Sequence, residues 1–255
     1  MGCANYCSNH PGVAHPRTPL AEDRRPPHTT GKTSTMARYP IQLEVAGPFA
    51  MFSRPDSGGT PTSYPLPTQS SAKGLLESIA RMSSGDAWFE PTRVEICKPI
   101  GQAGGAIHYQ RYATNYGGPL RKTNQLSANS SYQVFATVLV NVCYRIHARI
   151  VSGEASWKHG ENPRHHLKDL FERRLRQGRC HRTPCLGWSE FTASYWGPFR
   201  DGLYGRPLVT EVDQAVEMEI PSLLQSVFSE PTNGVFQPIF KQNAMIIKGG
   251  LSYVE

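Results

Sequence analysis

The sequence predicts an α+β fold: a ferredoxin-like βαββαβ domain, the plan of RNA-recognition domains, with a small antiparallel β-sheet at its C-terminal end. Three patterns predict it. Apolar and polar residues alternate within Tyr39–Phe52, as in a half-buried strand. Tyr132–Val151 is rich in the β-branched and aromatic residues that favour strands. Two amphipathic helical patterns separate the strands, and the order strand, helix, strand, strand, helix, strand indicates the ferredoxin-like arrangement.

Three further segments complete the first half of this order. A helix is predicted over Ser71–Met82, with Ser70 as its N-cap and an apolar side that includes Leu75. Trp88–Ile100 has the alternation of a strand. Gly101–Ser131 is rich in glycine and tyrosine and is predicted to be a mobile loop; so long a loop in a compact domain is usually functional.

The second half continues from the strong strand with a basic amphipathic helix. Pro163 suits the first turn of this helix, and Gly178 suits its C-terminal cap. Leu186–Tyr195 is predicted to be the next strand. Short strands that would form the extra sheet are expected near Ala215–Ile220, Phe236–Phe240, Asn243–Lys248 and Leu251–Val254.

Composition divides the chain into three parts. Residues 1–37 contain several prolines and no periodic apolar pattern, so they are predicted to be a disordered extension. Residues 38–204 hold the predicted ferredoxin-like domain, and residues 205–255 form the predicted C-terminal β-sheet appendage.

The charge of the chain favours an anionic partner. The 255 residues carry a formal net charge of +7. Residues 158–182 hold eight Lys or Arg against three acids, whereas residues 205–231 hold one arginine against five acids. A basic middle and an acidic tail indicate two faces, one electrostatic and one for packing or protein contacts.

The sequence argues against a membrane protein and against a metal site. No apolar run approaches the roughly 20 residues that span a bilayer, and the N-terminus lacks the apolar centre of a signal peptide, so the cytoplasm is the expected location. Six cysteines then read as reduced thiols. Cys180 and Cys185 are separated by four residues and have no second pair with zinc-ligand spacing, so no metal or other cofactor is expected.

Two adjacent histidines on the basic helix are the main catalytic candidates. A phosphodiester substrate needs both proton transfer and charge neutralisation, and imidazole exchanges protons near neutral pH. His166 is the first choice and His165 the second. Arg164 or Lys168 would stabilise the charge of the transition state. The alternative is a solvated basic helix whose histidines are incidental.

Two groups of residues are candidates for nucleic-acid binding. Arg173 and Arg174 follow on the same helix, and Arg179 comes directly after its predicted cap Gly178. Lys73 lies near the start of the first predicted helix, and all four side chains suit phosphates. Arg111 and Tyr112 belong to a run of mixed aromatic and cationic residues that suits stacking on unpaired bases. The alternatives are that the arginines pair with nearby acids and that the aromatics are buried under the loop.

Three segments resemble a known family. Leu43–Pro55 and Ser63–Ile79 resemble the first strand, turn and first helix of the Cas-five subunit of type I-C (Dvulg subtype) CRISPR systems, in the RAMP superfamily. Phe171–Phe191 is similar to that family's signature after the second helix, and weaker similarity extends the match to about Tyr39–Glu255.

This resemblance implies a metal-independent endoribonuclease that cleaves precursor CRISPR RNA within the repeat. Attack by a ribose 2′-OH would leave a 2′,3′-cyclic phosphate, and the protein would remain on the 5′ handle of the guide RNA beside the backbone and large subunits of the Cascade complex. Family members place a tyrosine on the first helix and a Lys-His pair at the start of the second. Ala80 stands at the expected tyrosine, and Tyr64 is a candidate substitute that would otherwise be a packing residue.

Two other functions stay open from the sequence. A non-cleaving RNA-binding subunit would cap the 5′ handle and form no products. A double-stranded DNA binder would use the same basic face and show a steep salt dependence with little preference for the repeat.

Overall fold

A computed structural model describes residues 39–82, 85–98, 100, 104–116, 132–153, 162–201, 209–227, 231–232 and 235–254. In chain order the elements are β1 Pro40–Ala50, α1 Gln69–Ile79, β2 Ala87–Ile96, β3 Tyr109–Tyr116, β4 Tyr132–Ser152, α2 Pro163–Gln177, β5 Tyr195–Gly197, β6 Met218–Ser226, β7 Pro231–Thr232, β8 Val235–Phe236, β9 Ile239–Ile246 and β10 Gly250–Ser252. The predicted disordered extension, residues 1–37, lies outside the described residues.

The main sheet has the strand order β10-β2-β4-β1-β5, with β3 also paired to β4, and every pairing is antiparallel. Without β3 and β10, the order β2-β4-β1-β5 and the two intervening helices are those of a ferredoxin-like domain. The predicted fold class is therefore confirmed. β6 and β9 form a separate two-stranded sheet, as does the short pair β7 and β8.

Both helices pack on one face of the main sheet because each has an apolar stripe. α1 buries Ala72, Leu75, Leu76 and Ile79, and α2 buries Leu167 and Phe171. The Phe171 ring packs edge-on against Phe89 of β2, with the ring centroids 5.3 Å apart. Burying a side chain of this size stabilises the fold by about 1.5–3 kcal/mol.

The other face of the sheet is held by charged side chains. Glu44, Arg145 and Glu95 lie opposite one another on β1, β4 and β2. Glu44 is fully buried and binds Arg145 and Arg200. Ion pairs therefore occupy much of the face on which RNA-recognition domains stack bases. The basic helix α2, on the opposite side, is better suited to an anionic ligand.

β4 is long enough to pair with two strands along one of its edges. Tyr132–Leu139 pairs with β3, and Tyr144–Ser152 pairs with β2. Asn141 lies between the two stretches with a φ of 51°, a left-handed conformation that asparagine tolerates better than most residues. The β3–β4 hairpin extends past Ala50, the last residue of β1.

Several predicted elements differ from the observed ones. α1 begins at Gln69 with Thr68 as its N-cap, rather than with Ser70. Part of the predicted loop Gly101–Ser131 forms β3 instead, because it pairs with β4. The predicted C-terminal strands from Phe236 to Lys248 are largely replaced by the single strand β9, and β10 joins the main sheet.

The predicted strand Leu186–Tyr195 is wrong, since only its last residue belongs to β5. Gly187 has a φ of 93°, and a Cβ atom on it would lie 1.8 Å from the carbonyl oxygen of Met51. Leu186 is fully buried, and its carbonyl accepts the N–H of Met51 at 2.9 Å. The segment around Gly187 is therefore a tight turn that is hydrogen-bonded to Met51, the residue after β1.

Candidate functional site

The first turn of α2 has a well-defined backbone that presents both candidate histidines. The side chain of Asn162 caps the helix by accepting the N–H of Arg164 at 3.0 Å. The Asn162 carbonyl accepts the N–H groups of His165 and His166 at 2.9 and 3.2 Å. Pro163 occupies the first turn and Gly178 closes the helix with a φ of 63°, as the sequence predicted.

His165 lies beside a carboxylate and a phenol. Its Nε2 is 3.3 Å from Asp169 Oδ2, one helical turn further along, and its side chain is 62% exposed. The ring of Tyr39 lies with its centroid 6.4 Å from that of His165. Asn162 Nδ2 donates to the Tyr39 hydroxyl at 3.3 Å. Three groups that can carry or orient a proton are therefore collected at one end of the helix.

Tyr39 was not among the residues predicted for the site. It stands one residue before β1, about 125 residues away from α2 in the chain. The contact arises because β1 starts where the sheet meets the first turn of α2. Nothing local in the sequence around Tyr39 indicates this, so only the tertiary fold reveals it.

His166 is also exposed but leaves the helix in a different direction. Successive residues are rotated by about 100° around an α-helix, so the two imidazoles diverge. A single phosphate is therefore contacted more readily by one histidine than by both. The described contacts with Tyr39, Asn162 and Asp169 involve the side of the helix that carries His165.

Arg164 and Lys168 flank the buried stripe of α2 and are both partly exposed. Lys168 Nζ lies 3.6 Å from Glu172 Oε1. Arg164 Nε is buried and has no hydrogen-bond partner among the described residues. A buried N–H without an acceptor is unfavourable, so an anionic ligand that reaches this nitrogen would relieve the cost.

A cavity of about 350 Å³ lies between α1, the start of β2 and Leu167 of α2. Ala80, at the C-cap of α1, contributes to its lining and is fully buried. Lys73, a predicted phosphate ligand, also lines it and lies 3.8 Å from Glu77. Lys73 additionally lines a neighbouring groove of about 1670 Å³ between α1 and the β6–β9 sheet. Its position therefore suits a ligand held along α1.

Tyr64 has the environment of a packing residue, which differs from its predicted catalytic role. Its side chain is 1% exposed. Its hydroxyl donates to the carbonyl of Ser222 at 2.9 Å and accepts the N–H of Leu224 at 3.2 Å, so it joins α1 and its preceding turn to β6. Burial raises the pKa of this hydroxyl. A substrate phosphate has no access to it.

The predicted phosphate ligands on α2 and just after it fall into two groups. Arg173 on α2 and Arg179, the residue after the cap Gly178, are exposed. Arg174 is partly buried, and its Nη1 donates to the carbonyl of Ile79 at the end of α1 at 2.7 Å. Arg174 therefore joins the two helices, and its guanidinium is already engaged by protein.

The predicted stacking residues Arg111 and Tyr112 lie on opposite faces of β3. The exposed Arg111 guanidinium lies 3.9 Å from the centroid of the Phe135 ring. Tyr112 is half-buried and packs against Phe191 and Phe49, with centroid distances of 5.2 and 6.2 Å. Arg111 thus keeps an exposed face for a partner, whereas most of the Tyr112 ring is used in packing.

The Cas5d family model, described as CRISPR-associated protein (Cas_Cas5), matches residues 41–215. The chain belongs to this family. The match covers β1, both helices and β5, so it includes the candidate site on α2. Membership accounts for the ferredoxin-like sheet with its two helices. The first-strand and second-helix segments predicted a family resemblance, and this resemblance is confirmed at the level of the Cas5 family.

Two curated relatives and one solved structure are similar to this Cas5d-family chain. A Thermus thermophilus protein named CRISPR pre-crRNA endoribonuclease Cas5d is 30% identical over 79% of this chain and 83% of its own length. A Mannheimia succiniciproducens protein of the same name is 29% identical over 61% of this chain and 71% of its own. A solved CRISPR-associated protein aligns with a TM-score of 0.57 and 18% identity over 84% of this chain and 90% of its own. The last likeness supports the fold alone.

Within the described residues of the Cas5d-family chain, neither helix is long and apolar enough to cross a membrane.

Proposed function

We propose that this Cas5d-family protein cleaves precursor CRISPR RNA within its repeat, without a metal ion, and then remains on the 5′ handle of the guide RNA as a subunit of a type I-C Cascade complex. The observation that carries the proposal is the first turn of α2, where His165 lies beside Asp169 and Tyr39. On the same turn, Arg164 Nε has no hydrogen-bond partner among the described residues. Two curated relatives are named as pre-crRNA endoribonucleases, which supports the cleavage of precursor CRISPR RNA.

The proposed reaction is an internal transfer of the phosphoryl group. The ribose 2′-oxygen forms a bond to phosphorus while the bond from phosphorus to the 5′-oxygen breaks, which leaves a 2′,3′-cyclic phosphate and a 5′-hydroxyl. A base must take the 2′-OH proton, an acid must protonate the departing 5′-oxygen, and cations must stabilise the extra negative charge. Because the nucleophile is the 2′-OH, DNA is not a substrate.

We assign these roles to side chains at the first turn of α2 and to Tyr39 beside it. His165, oriented by Asp169, would exchange one proton, and the Tyr39 hydroxyl would exchange the other. Arg164 and Lys168, on the same turns of α2, would supply the positive charge. His166 is the alternative proton carrier on the same turn.

The experiment uses purified protein and the repeat RNA of its own genome in excess EDTA. Wild-type protein is expected to give one cut and a 2′,3′-cyclic phosphate end, which a phosphatase does not remove. A repeat with a single 2′-deoxy sugar at the cut site is the control, and it should stay intact. Absence of cleavage, or equal cleavage of the deoxy substrate, would contradict the proposed chemistry.

Four variants assign the roles. His165→Ala should slow single-turnover cleavage by about 10²–10⁴-fold if this imidazole carries a proton. Tyr39→Phe keeps the ring and removes only the hydroxyl, so a slower rate with an altered pH profile would mark it as a proton carrier. His166→Ala provides the matched control on the neighbouring position. If His166→Ala loses most of the cleavage rate and His165→Ala stays active, His166 rather than His165 is the proton carrier. Lys168→Ala tests the charge contribution.

A second candidate function is favoured by Ala80. The family tyrosine expected at this position is replaced by a fully buried methyl group that cannot transfer a proton. A non-cleaving subunit that caps the 5′ handle would bind repeat RNA tightly, form no product in any buffer, and bind unchanged after His165→Ala or His166→Ala. Double-stranded DNA stays a predicted partner. Binding of double-stranded DNA without preference for the repeat sequence would identify a DNA-binding function.

A further inference from the structure

The C-terminal ends of α1 and α2 are joined by hydrogen bonds. Arg174 on α2 donates to the carbonyl of Ile79. The chain that leaves α2 then crosses the end of α1, where the N–H groups of His181 and Arg182 both donate to the carbonyl of Ser78 at 2.8 Å. The N–H of Arg179 donates to the carbonyl of Arg174 at 2.9 Å. We call this region the helix joint.

The helix joint collects exposed cations. Its exposed cationic and titratable side chains are Arg81, Arg176, Arg179, His181 and Arg182. Among the described residues, none of these side chains forms an ion pair with a carboxylate. By contrast, Lys73, Lys168, Arg54, Arg93 and Arg149 are all paired with acids.

The dipoles of the two helices explain only part of this charge. Helix C-termini carry a partial negative charge that favours a nearby cation. At the end of α1 that role is filled by Arg174, whose guanidinium binds the Ile79 carbonyl directly. Four further arginines exceed what two helix ends require, so the joint has charge left for an anionic ligand.

We propose that the helix joint is a phosphate-binding anchor for the RNA strand, separate from the histidine turn. Guanidinium groups match phosphate oxygens in shape and charge. His165 and Arg176 are eleven residues apart on one helix, which places them about 16 Å apart along its axis. That distance spans about five phosphates at the 3.4 Å spacing of a stacked strand. A strand can therefore be held at the joint while it is cut at the opposite end of α2.

This inference rests on the proposed function for the identity of the ligand as RNA, and it adds where that RNA stays bound. The separation of the helix joint from the histidine turn has a functional consequence. A cut at the histidine turn need not release the part of the strand that lies on the joint, so a product can be retained after cleavage.

The test compares two triple variants of the full-length protein. Arg81→Ala, Arg179→Ala and Arg182→Ala are combined in the anchor variant. Arg54→Ala, Arg93→Ala and Arg149→Ala are combined in the control, which removes the same charge from arginines that are paired with acids. The probe is fluorescent repeat RNA with a 2′-deoxy sugar at the cut site, and anisotropy is measured from 50 to 300 mM salt.

Each phosphate contact to single-stranded RNA contributes about 0.7 to the slope of log affinity against log salt. Loss of three contacts should lower the slope by about 2 and weaken binding about 100-fold at 0.1 M salt. The control triple variant should stay within about three-fold of wild type, allowing for its weak long-range effect. Equal binding by the two triple variants would overturn the anchor.

Two further measurements keep the outcome unambiguous. If the anchor triple variant does not fold by circular dichroism, Arg182→Glu alone is measured instead, and an unchanged salt slope again overturns the proposal. Wild-type cleavage in EDTA is recorded separately. Loss of binding in the anchor variant with no wild-type cleavage supports the anchor and removes the nuclease, whereas cleavage with unchanged anchor-variant binding removes the anchor and leaves the nuclease.

Discussion

Replacement of Glu44 by alanine should be among the most destabilising changes in the main sheet. Glu44 is fully buried in the middle of β1. Its carboxylate accepts the side chain of Arg200 at 2.5 Å and the Arg200 N–H at 3.0 Å, the hydroxyl of Thr210 at 2.8 Å and the side chain of Arg145 at 3.3 Å. One carboxylate therefore joins two strands of the sheet to the segments around residues 200 and 210.

The expected cost follows from what the variant leaves behind. The side chains of Arg145 and Arg200 are only 13% and 11% exposed, so both guanidiniums would lose, in a largely dry site, the carboxylate that they bind. Removing one partner of a buried ion pair costs about 3–5 kcal/mol. A typical domain is stable by about 5–15 kcal/mol, so Glu44→Ala should remove a large part of the free energy of unfolding.

The pH dependence has a defined sign. Burial alone would raise the pKa of Glu44, but the hydrogen bonds from Arg200 and Thr210, together with the charge of Arg200, outweigh it and hold the pKa below its usual value. A carboxyl whose pKa is lowered by folding stabilises the fold above its unfolded pKa and loses that contribution as the pH falls through its folded pKa. The difference between wild type and Glu44→Gln should therefore be largest near neutral pH and shrink in acid.

Urea unfolding followed by circular dichroism measures these differences. Glu90→Ala is the control, since it breaks a partly exposed pair with Arg149 on the same face and should cost about 0–1 kcal/mol. A Glu44→Ala protein that is destabilised no more than Glu90→Ala would refute the argument. So would a Glu44→Gln difference that grows on acidification.

Two further predictions concern residues whose environment differs from that expected from the sequence. Tyr64→Phe should lower the free energy of unfolding by about 1–3 kcal/mol in urea, because the Leu224 N–H and the Ser222 carbonyl lose a buried partner; loss of cleavage by the folded variant would instead restore the predicted catalytic role. Gly187→Ala should reduce the melting temperature strongly, because a Cβ atom would overlap the carbonyl of Met51. Gly74→Ala is its control: the site is an exposed helix interior with nothing within 4 Å, so alanine should add about 0.5–1 kcal/mol, and equal effects of the two would contradict the structural explanation.

Local signals in the sequence were sufficient for the helices and for the longest strand. Pro163 and Gly178 predict α2 correctly because a proline and a glycine act within one turn of the chain that contains them. β3 was missed because its pairing partner, β4, lies beyond a long connection. Leu186–Tyr195 has the composition of a strand, but its course is decided by contact with Met51, more than 130 residues earlier.

The candidate site follows the same division. Residue types and spacing indicate paired imidazoles with cations on one helix, and the structure places them on a capped, exposed turn. Spacing alone does not reveal Tyr39 beside His165 or the bond from Arg174 to Ile79. Both depend on how the ends of separate elements meet, which only the packing of the helices on the sheet determines.

The long strand β4 has a mechanical consequence. A single continuous backbone forms both the outer strand pair β3–β4 and the middle of the main sheet, so a neighbouring subunit bound to the β3–β4 pair would be connected directly to the central strand. Asn141 lies in β4 at the point where the strand paired along one edge changes from β3 to β2. The backbone conformation at Asn141 would then determine how such a subunit is oriented relative to the main sheet.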